Sequence, residues 1–472
     1  MMLYCRPTFH RQFEFLRDKV LNEGHLGWIL GPPGTGKSIT AMAFASTLDR
    51  SEWIVTWIHV GKFMDWQCVR LIGNERKTRF LEISDVDEVL MVDDKRHHVV
   101  LVDGWTAANE FMELTRKCVR WFLHSNGVKQ RRLAFVCSVA TRGKFQEDME
   151  ILTRAREFRV CSWTLHEYLN AIKDDEVFQS VSQCLDAPAV LPDEEMSRAA
   201  MVESKYYYAG GSCRYMFHFR TATVATKLSD AVDSLNDAAT VATSGQRSSS
   251  SINRLFGMFQ RPRVVGTVSP VISQYVATLI AVRCGPEAME THLLSCCSSI
   301  ERSNPALNGW MLEMVFFASL RNGGLALVDA AGNTVDTWGQ SVIVVTDGIP
   351  ALSSAQPVWI KPEKWNQGGY DAIMVCKRTQ HVRFVQVTSA HKHSFRINHF
   401  YGWLKMLSES PESFEVKTME IIFVVEQEKL STFDFSTVTG NGLLVPFGWP
   451  KGKETDLVRL VGIRRLLGQS PL

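Results

Sequence analysis

Charge of one sign is nearly absent as an excess. The 52 Lys and Arg residues almost cancel the 50 Asp and Glu residues, leaving a net charge of +2 over 472 residues. A domain that coats nucleic acid usually shows a basic stripe, so any phosphate contact here must come from local patches. Long apolar runs are missing too. None reaches the ~18 residues that span a bilayer, and the opening MMLYCRPTFHRQFEFLRDK carries no apolar core of a secretory signal. Paired cysteines are also lacking. The 11 cysteines form no CxxC pair, and only Cys296 and Cys297 adjoin. That pattern reads as reduced thiols in an intracellular chain, rather than a disulfide frame or a zinc ribbon. There is no fixed-period repeat. What remains, 45% hydrophobic and 22% charged, is ordinary globular composition with room for two or three domains.

The apolar pattern divides the chain into three stretches. Residues 1–165 alternate strand-like runs (Leu26 to Leu30, Trp53 to Val60, His98 to Val102, Leu133 to Val136, Phe158 to Val160) with helical stretches. Such alternation predicts a parallel sheet covered on both faces. Residues 166–295 read as helices and loops and include the low-complexity piece SGQRSSSS at 244–251. Residues 296–472 read as a helix (Asn308 to Leu320), several strands, a second helix (Ile397 to Leu407) and a buried strand (Met419 to Val425). The expected fold class is α/β: a parallel-sheet core, a helical region, then a second α/β domain.

Gly31-Pro32-Pro33-Gly34-Thr35-Gly36-Lys37-Ser38 satisfies GxxxxGK[ST], with a strand before it and a helix after it. Its glycines let backbone N–H groups curl around phosphates, and the helix N-terminus adds the positive end of its dipole. Lys37 supplies a point charge and Ser38 a hydroxyl for Mg²⁺, so ATP with Mg²⁺ is the expected ligand. His98 to Asp103 is an apolar run ending in an acid, which makes Asp103 the second Mg²⁺ residue. Gly104 and Trp105 follow, where many ATPases place a water-polarising Glu. Glu110 is a distant substitute, so binding is expected more firmly than fast hydrolysis. Ser138, at the end of the next strand, is a candidate γ-phosphate sensor. Arg142, Arg154 and Arg156 are candidate arginine fingers, each set against an ordinary surface charge. Gly210-Gly211-Ser212-Cys213-Arg214 heads a helix and resembles the sensor-2 element in the lid of AAA+ ATPases. That resemblance implies an AAA/ASCE-like P-loop NTPase core with a helical lid, and makes Arg214 the candidate to approach the γ-phosphate from the lid side.

Near the C-terminus Asp371 opens the run DAIMVC, and Val382 to Thr388 follows after a turn. Strand alternation sets Gln386 and Thr388 on one face. Asp371 and the Gln386 carbonyl are hard oxygen donors suited to Mg²⁺. Glu313 is an isolated acid in the apolar helix WMLEMVFF and needs a partner once buried. Lys392 is a nearby cation that would orient water at a metal-dependent nuclease site. The plainer reading makes Asp371 a turn residue and Gln386 a sheet residue. Arg254 to Arg263 is a local basic stretch that would contact DNA phosphates or lie solvated.

Taken in order, the P-loop, Val102-Asp103-Gly104, Ser162-Trp163-Thr164-Leu165-His166-Glu167-Tyr168, Gly210 to Phe217, and Phe384-Val385-Gln386-Val387-Thr388-Ser389-Ala390-His391-Lys392-His393 resemble the Crinkler-type effectors. These are related to retrotransposon-hot-spot NTPase–nuclease proteins. The resemblance runs from about Tyr4 to about Phe447. It implies a PD-(D/E)xK restriction-endonuclease-like domain, Mg²⁺-dependent DNA cleavage, and action in a host nucleus after secretion. Carried over residue by residue, Glu313 matches the first-helix acid and Asp371 the central acid. Gln386 and Thr388 replace Glu-x-Lys, Lys392 is the relocated lysine, and His393 is the family's following histidine. Tyr370 stands where the motif's proline would be, and no Leu-rich translocation header is visible. The partners expected are ATP, DNA and further copies of the chain, with no membrane.

Overall fold

The computed structural model describes residues 4–61, 66–92, 95–105, 109–124, 130–138, 147–187, 197–235, 252–260, 267–268, 271–284, 305–353, 356–362 and 369–464. The fold is mixed α/β, with two large sheets and a helical layer between them in the chain.

The first sheet holds β1 (Gly27–Leu30), β2 (Trp53–His59), β3 (Trp66–Ile72), β4 (Glu75–Leu81), β5 (His97–Trp105), β6 (Arg131–Cys137) and β7 (Arg156–Arg159). Their order is β4-β3-β2-β5-β6-β1-β7. From β2 to β7 all pairings are parallel. The expected runs therefore form the sheet, each shifted by a few residues at its ends. The antiparallel extension of β3 and β4 is an addition to the expected order.

Side chains alternate across the pleat. Ile29, Val55, Leu101 and Val136 face α1 (Pro7–Phe15), the helical segment Leu16–Asn22 that continues it, and α2 (Lys37–Thr47), meeting Leu16, Val20 and Phe44. Trp28, Ile58, Val102 and Phe135 face α3 (Asn109–Leu123), meeting Phe111, Leu114 and Trp121. With both faces covered, the central strands read as continuous apolar runs.

The helical layer includes α4 (Leu165–Ala171), α5 (Arg198–Ala209), α6 (Cys213–Phe217), α7 (Thr221–Asp233) and α8 (Gln274–Cys284), packed around Trp163, Tyr168, Tyr208, Met216, Leu228 and Val276. Thr164 and Glu167 form a capping box that starts α4. Next comes α9 (Pro305–Asn322), which serves two cores. Its Met314 and Ala318 sit in the helical layer's core, while Leu312, Phe316, Phe317 and Leu320 sit in the core of the second sheet.

That sheet comprises β8 (Leu325–Val328), β9 (Thr334–Trp338), β10 (Ile343–Val345), β11 (Val358–Lys361), β12 (Ala372–Cys376) and β13 (His381–Val387), followed by two later strands. After β14 (Lys392–Arg396) and α10 (Ile397–Glu409) the chain adds β15 (Thr418–Glu426), β16 (Asp434–Thr439) and β17 (Arg459–Ile463). The sheet order is β9-β8-β17-β15-β13-β12-β11-β10, and β14 pairs with β16 alone in a separate two-stranded ladder. Along β12, Ala372, Met374 and Cys376 face α9, whereas Ile373 and Val375 face Phe400, Trp403 and Leu407 of α10. Among the described residues, no helix is long and apolar enough to cross a membrane.

Candidate functional site

Strand β1 delivers Leu30 to the loop, and the loop ends where α2 begins at Lys37. Gly34 and Gly36 hold φ of 79° and 92°, a left-handed backbone that side-chain-bearing residues rarely adopt. Gly34 is constrained by space as well: a Cβ there would lie 2.3 Å from Ser212 Oγ. The Lys37 ammonium donates to Gly31 O at 2.7 Å and to Pro32 O at 2.8 Å. Burial holds it down at about 8, because desolvation disfavours the charged form.

Asp103 lies on β5, which separates β2 from β6. It is buried, and its Oδ1 accepts the Ser38 hydroxyl at 2.6 Å. The loop serine and the strand acid, 65 positions apart in sequence, thus share a hydrogen bond. His59, at the end of β2, places Nδ1 3.0 Å from Asp103 Oδ2, and that bond raises the imidazole pKa. His59 lies in none of the sequence motifs. The register that pairs His59 with Asp103 would have found it, but register is not visible before the sheet is. Ser38 and Asp103 are hard oxygen donors set against each other at the helix mouth, which fits Mg²⁺. Cys137 pairs with Leu30, so Ser138 stands beside the start of the loop.

The Gly210–Phe217 stretch packs directly on the loop. Cys213 N donates to Gly34 O at 2.9 Å, and Ser212 Oγ donates to Pro33 O at 3.4 Å. Arg214 follows with an exposed side chain whose Cβ would lie 3.1 Å from a Cβ on Gly34. Its charge helps to lower the Lys37 pKa. Gly210 has φ of 49°, and a Cβ there would lie 1.8 Å from Ile272 O, so only glycine fits. Arg6, which no motif marked, reaches the other side of the loop and donates to Thr35 O at 2.9 Å. Among the arginine-finger candidates, Arg156 begins β7 and Arg154 precedes it with φ of 49°. Arg142 and the Glu110 side chain lie outside the described residues.

The C-terminal candidates divide. Gln386 Nε2 donates to Asp371 Oδ2, and Val387 N donates to the same oxygen at 2.6 Å. Burial, reinforced by the Glu313 carboxylate, pushes the Asp371 carboxyl well above the ordinary carboxylate range. Glu313 forms an ion pair with Lys361 of β11, whose ammonium also stands 4.4 Å from the Phe317 ring centroid. Glu313, Asp371 and Gln386 are thereby brought into one neighbourhood with Lys361. They meet as donor and acceptor rather than as three oxygens around one point. Gln386 Oε1 is buried without a partner, which suits a ligand for a hard cation. Thr388 is buried, and its hydroxyl accepts from Ala390 N at 3.1 Å. Lys392 is exposed on the separate β14–β16 ladder, so the lysine bonded within the acid group is Lys361. The His393 ring stands edge-on to Phe423, with centroids 5.6 Å apart, and its Nδ1 lies 2.9 Å from Ser394 O. Among the described residues, no group of three His, Cys, Asp or Glu side chains is placed to hold a metal. Of the basic stretch 254–263, Arg254 is exposed in a helix over Ile252–Leu255, and residues 261–263 lie outside the described ones.

A strand that runs into this loop, a helix that opens on its lysine, and a neighbouring strand that sets a carboxylate against the helix's serine define a P-loop nucleotide-binding domain. No family model matches the chain, and no curated protein matches it. Among solved structures it is similar to a mutant of Thermotoga maritima RuvB, with 16% identity, 48% of this chain and 62% of that chain covered, and a TM-score of 0.28. It thus spans less than two thirds of that RuvB chain. It is also similar to Cdc6p from Pyrobaculum aerophilum (11% identity, 63% and 97% covered, TM-score 0.26) and to Aeropyrum pernix Orc1 in complex with DNA (11% identity, 72% and 90% covered, TM-score 0.25). Likeness this weak assigns no family, and the class stands on the loop and its strand partners.

Proposed function

We propose that the chain is an ATP- and Mg²⁺-binding switch whose second sheet is a Mg²⁺-dependent DNA endonuclease of the PD-(D/E)xK kind, with the helical layer acting as the lid of the nucleotide site. The observation that carries the nucleotide half is the Ser38 hydroxyl on the Asp103 carboxylate at the mouth of the loop. Lys37 and the loop amides bind the phosphates, and Ser38 and Asp103 would hold Mg²⁺, which neutralises phosphate charge when bound. With Gly104 and Trp105 after Asp103, no adjacent carboxylate polarises water, so hydrolysis is slow and the nucleotide acts as a signal.

The nuclease half rests on the buried, unpartnered Gln386 Oε1 beside Asp371. These two would hold the cation, which when bound neutralises charge on a scissile phosphate. Lys361 is the cation that positions Glu313 against them. Helix α9 joins the halves, because it carries Glu313, which is bonded to Lys361 of the second sheet, and packs Met314 and Ala318 into the core of the helical layer. Following the resemblance, the site of action is the DNA of a host nucleus, and the protein serves there as an effector.

A second reading, a cleavage-incompetent fold used for binding, is favoured by the mutual neutralisation of Glu313 and Lys361. Plasmid nicking by the full chain with Mg²⁺ separates the two. The wild type should cut and Asp371→Ala should not, and equal cutting by both sinks the nuclease. Lys37→Ala should lose nucleotide binding while keeping Mg²⁺-dependent nicking. Loss of both would make the nucleotide a requirement for cleavage rather than a signal.

A further inference from the structure

Arg6 lies outside every motif, ahead of α1, yet it is only 4% exposed. Its Nη2 donates to Thr35 O at 2.9 Å and to Cys161 O at 2.7 Å. Its Nη1 faces Glu167 Oε2 at 3.4 Å, and its Cζ stands 4.9 Å from the Trp163 ring centroid. A guanidinium is expensive to bury. Here its cost is offset by two carbonyls, one carboxylate and one ring face, from the loop and from the 161–167 stretch.

What it does to the loop follows from peptide geometry. A trans peptide is planar, with C=O and N–H on opposite sides. Fixing Thr35 O toward Arg6 therefore fixes Gly36 N–H away from it. By the same rule, Cys213 N on Gly34 O at 2.9 Å fixes the direction of the Thr35 N–H. These two peptides are flanked by the left-handed Gly34 and Gly36, the residues most free to rotate. Without the two external donors, the amides that meet phosphate would have to be ordered at the moment of binding, which lowers affinity.

We propose that Arg6 is a positioning residue for phosphate binding: it holds the Thr35–Gly36 peptide in its anion-binding orientation, and Cys213 of the helical layer holds the peptide before it. The loop is thus shaped from both sides by residues outside its own motif. This rests on reading Gly31–Ser38 as the nucleotide site. Affinity then depends on the helical layer being docked, since Cys213, whose N–H holds Gly34 O, belongs to it.

The test uses the full chain, a fluorescent ATP analogue with Mg²⁺, and a thermal melt of each variant. Arg6→Lys keeps the charge but loses the fork that reaches two carbonyls at once. It should bind roughly tenfold more weakly while melting near the wild-type temperature. Glu167→Gln removes the ion pair and leaves both carbonyl bonds. It should lower the melting temperature yet keep affinity within about twofold. Should Arg6→Lys fail to fold, Arg6→Gln serves with hydrogen exchange as the readout. Nucleotide should protect the amides of Gly31 and of residues 34–38 in the wild type but leave those of 35–36 unprotected in the variant. Wild-type affinity in the folded Arg6 variant overturns the proposal. So does a loss of affinity that simply follows melting temperature across all variants, because that marks a strut. If the wild type itself binds no triphosphate, the site reading fails and Arg6 is not the reason.

Discussion

Each half of the molecule is built around a buried lysine, and the two are held by opposite kinds of partner. Lys37 donates to two neutral backbone carbonyls. Lys361 is bonded to the Glu313 carboxylate. The first cation has carbonyls rather than an acid as its hydrogen-bond partners and is left for an anion. The second is already neutralised by an acid of its own domain. A binding site for phosphate and an internal ion pair therefore arise from the same residue type, and the partner makes the difference.

The largest expected effect probes the neutralised lysine. Glu313→Gln leaves Lys361, which is 4% exposed, as an unpaired buried charge. The loss should be about 3 kcal/mol of unfolding free energy, since removing one partner of a buried pair strands the other. Asp371→Asn should cost far less, because it removes a carboxyl that burial and the Glu313 charge already disfavour in its ionised form. Denaturant unfolding of both variants checks this, and equal losses would mean that Lys361 is shared evenly between the acids. Next, Lys37→Ala should weaken ATP binding by roughly a hundredfold with little change in melting temperature, because its partners are carbonyls that water can satisfy. A large drop in stability would make Lys37 a strut like Lys361 and erase the contrast. Smaller again is Gly34→Ala, where a Cβ would lie 2.3 Å from Ser212 Oγ on a positive φ. It should lower nucleotide affinity about tenfold and stability by about 1–2 kcal/mol, read by titration and melting together.

The same contrast governs what the sequence revealed. The phosphate site is eight consecutive residues whose backbone does the binding, so spacing alone spelled it out. Asp103 followed from an apolar run ending in an acid. The acid group draws single side chains from α9, β11, the start of β12 and β13. Glu313, Asp371 and Gln386 were legible as unusual residues, but their partner Lys361 was not. It lies 48 positions from Glu313 on a strand whose only mark is VWIK. Lys392, favoured by the order of motifs, is carried off into a separate ladder by β14. Arg6 and Glu167 are 161 positions apart and are joined only by the packing of the helical layer on the loop. The β3–β4 hairpin escaped notice because β4 is exposed along most of its length and lacks the apolar alternation that signals a half-buried strand. Backbone chemistry is local in sequence, whereas side-chain chemistry is local only in space.

The smallest predicted effect is a fraction of a proton. Burial depresses the Lys37 ammonium to about 8, so at pH 8 roughly half the molecules carry it neutral. A bound polyphosphate favours the charged form and raises that value. Binding at pH 8 should therefore take up about half a proton per nucleotide from Lys37, close to none at pH 6.5 and nearly one at pH 9. Affinity should fall correspondingly as pH rises above 8, because the proton has to be drawn from an increasingly dilute supply. Calorimetry in two buffers of different ionisation enthalpy reads the uptake directly. Lys37→Arg, whose guanidinium stays charged throughout this range, should abolish it even if binding survives. No pH-dependent uptake in the wild type would mean that Lys37 is already fully charged beside its carbonyls.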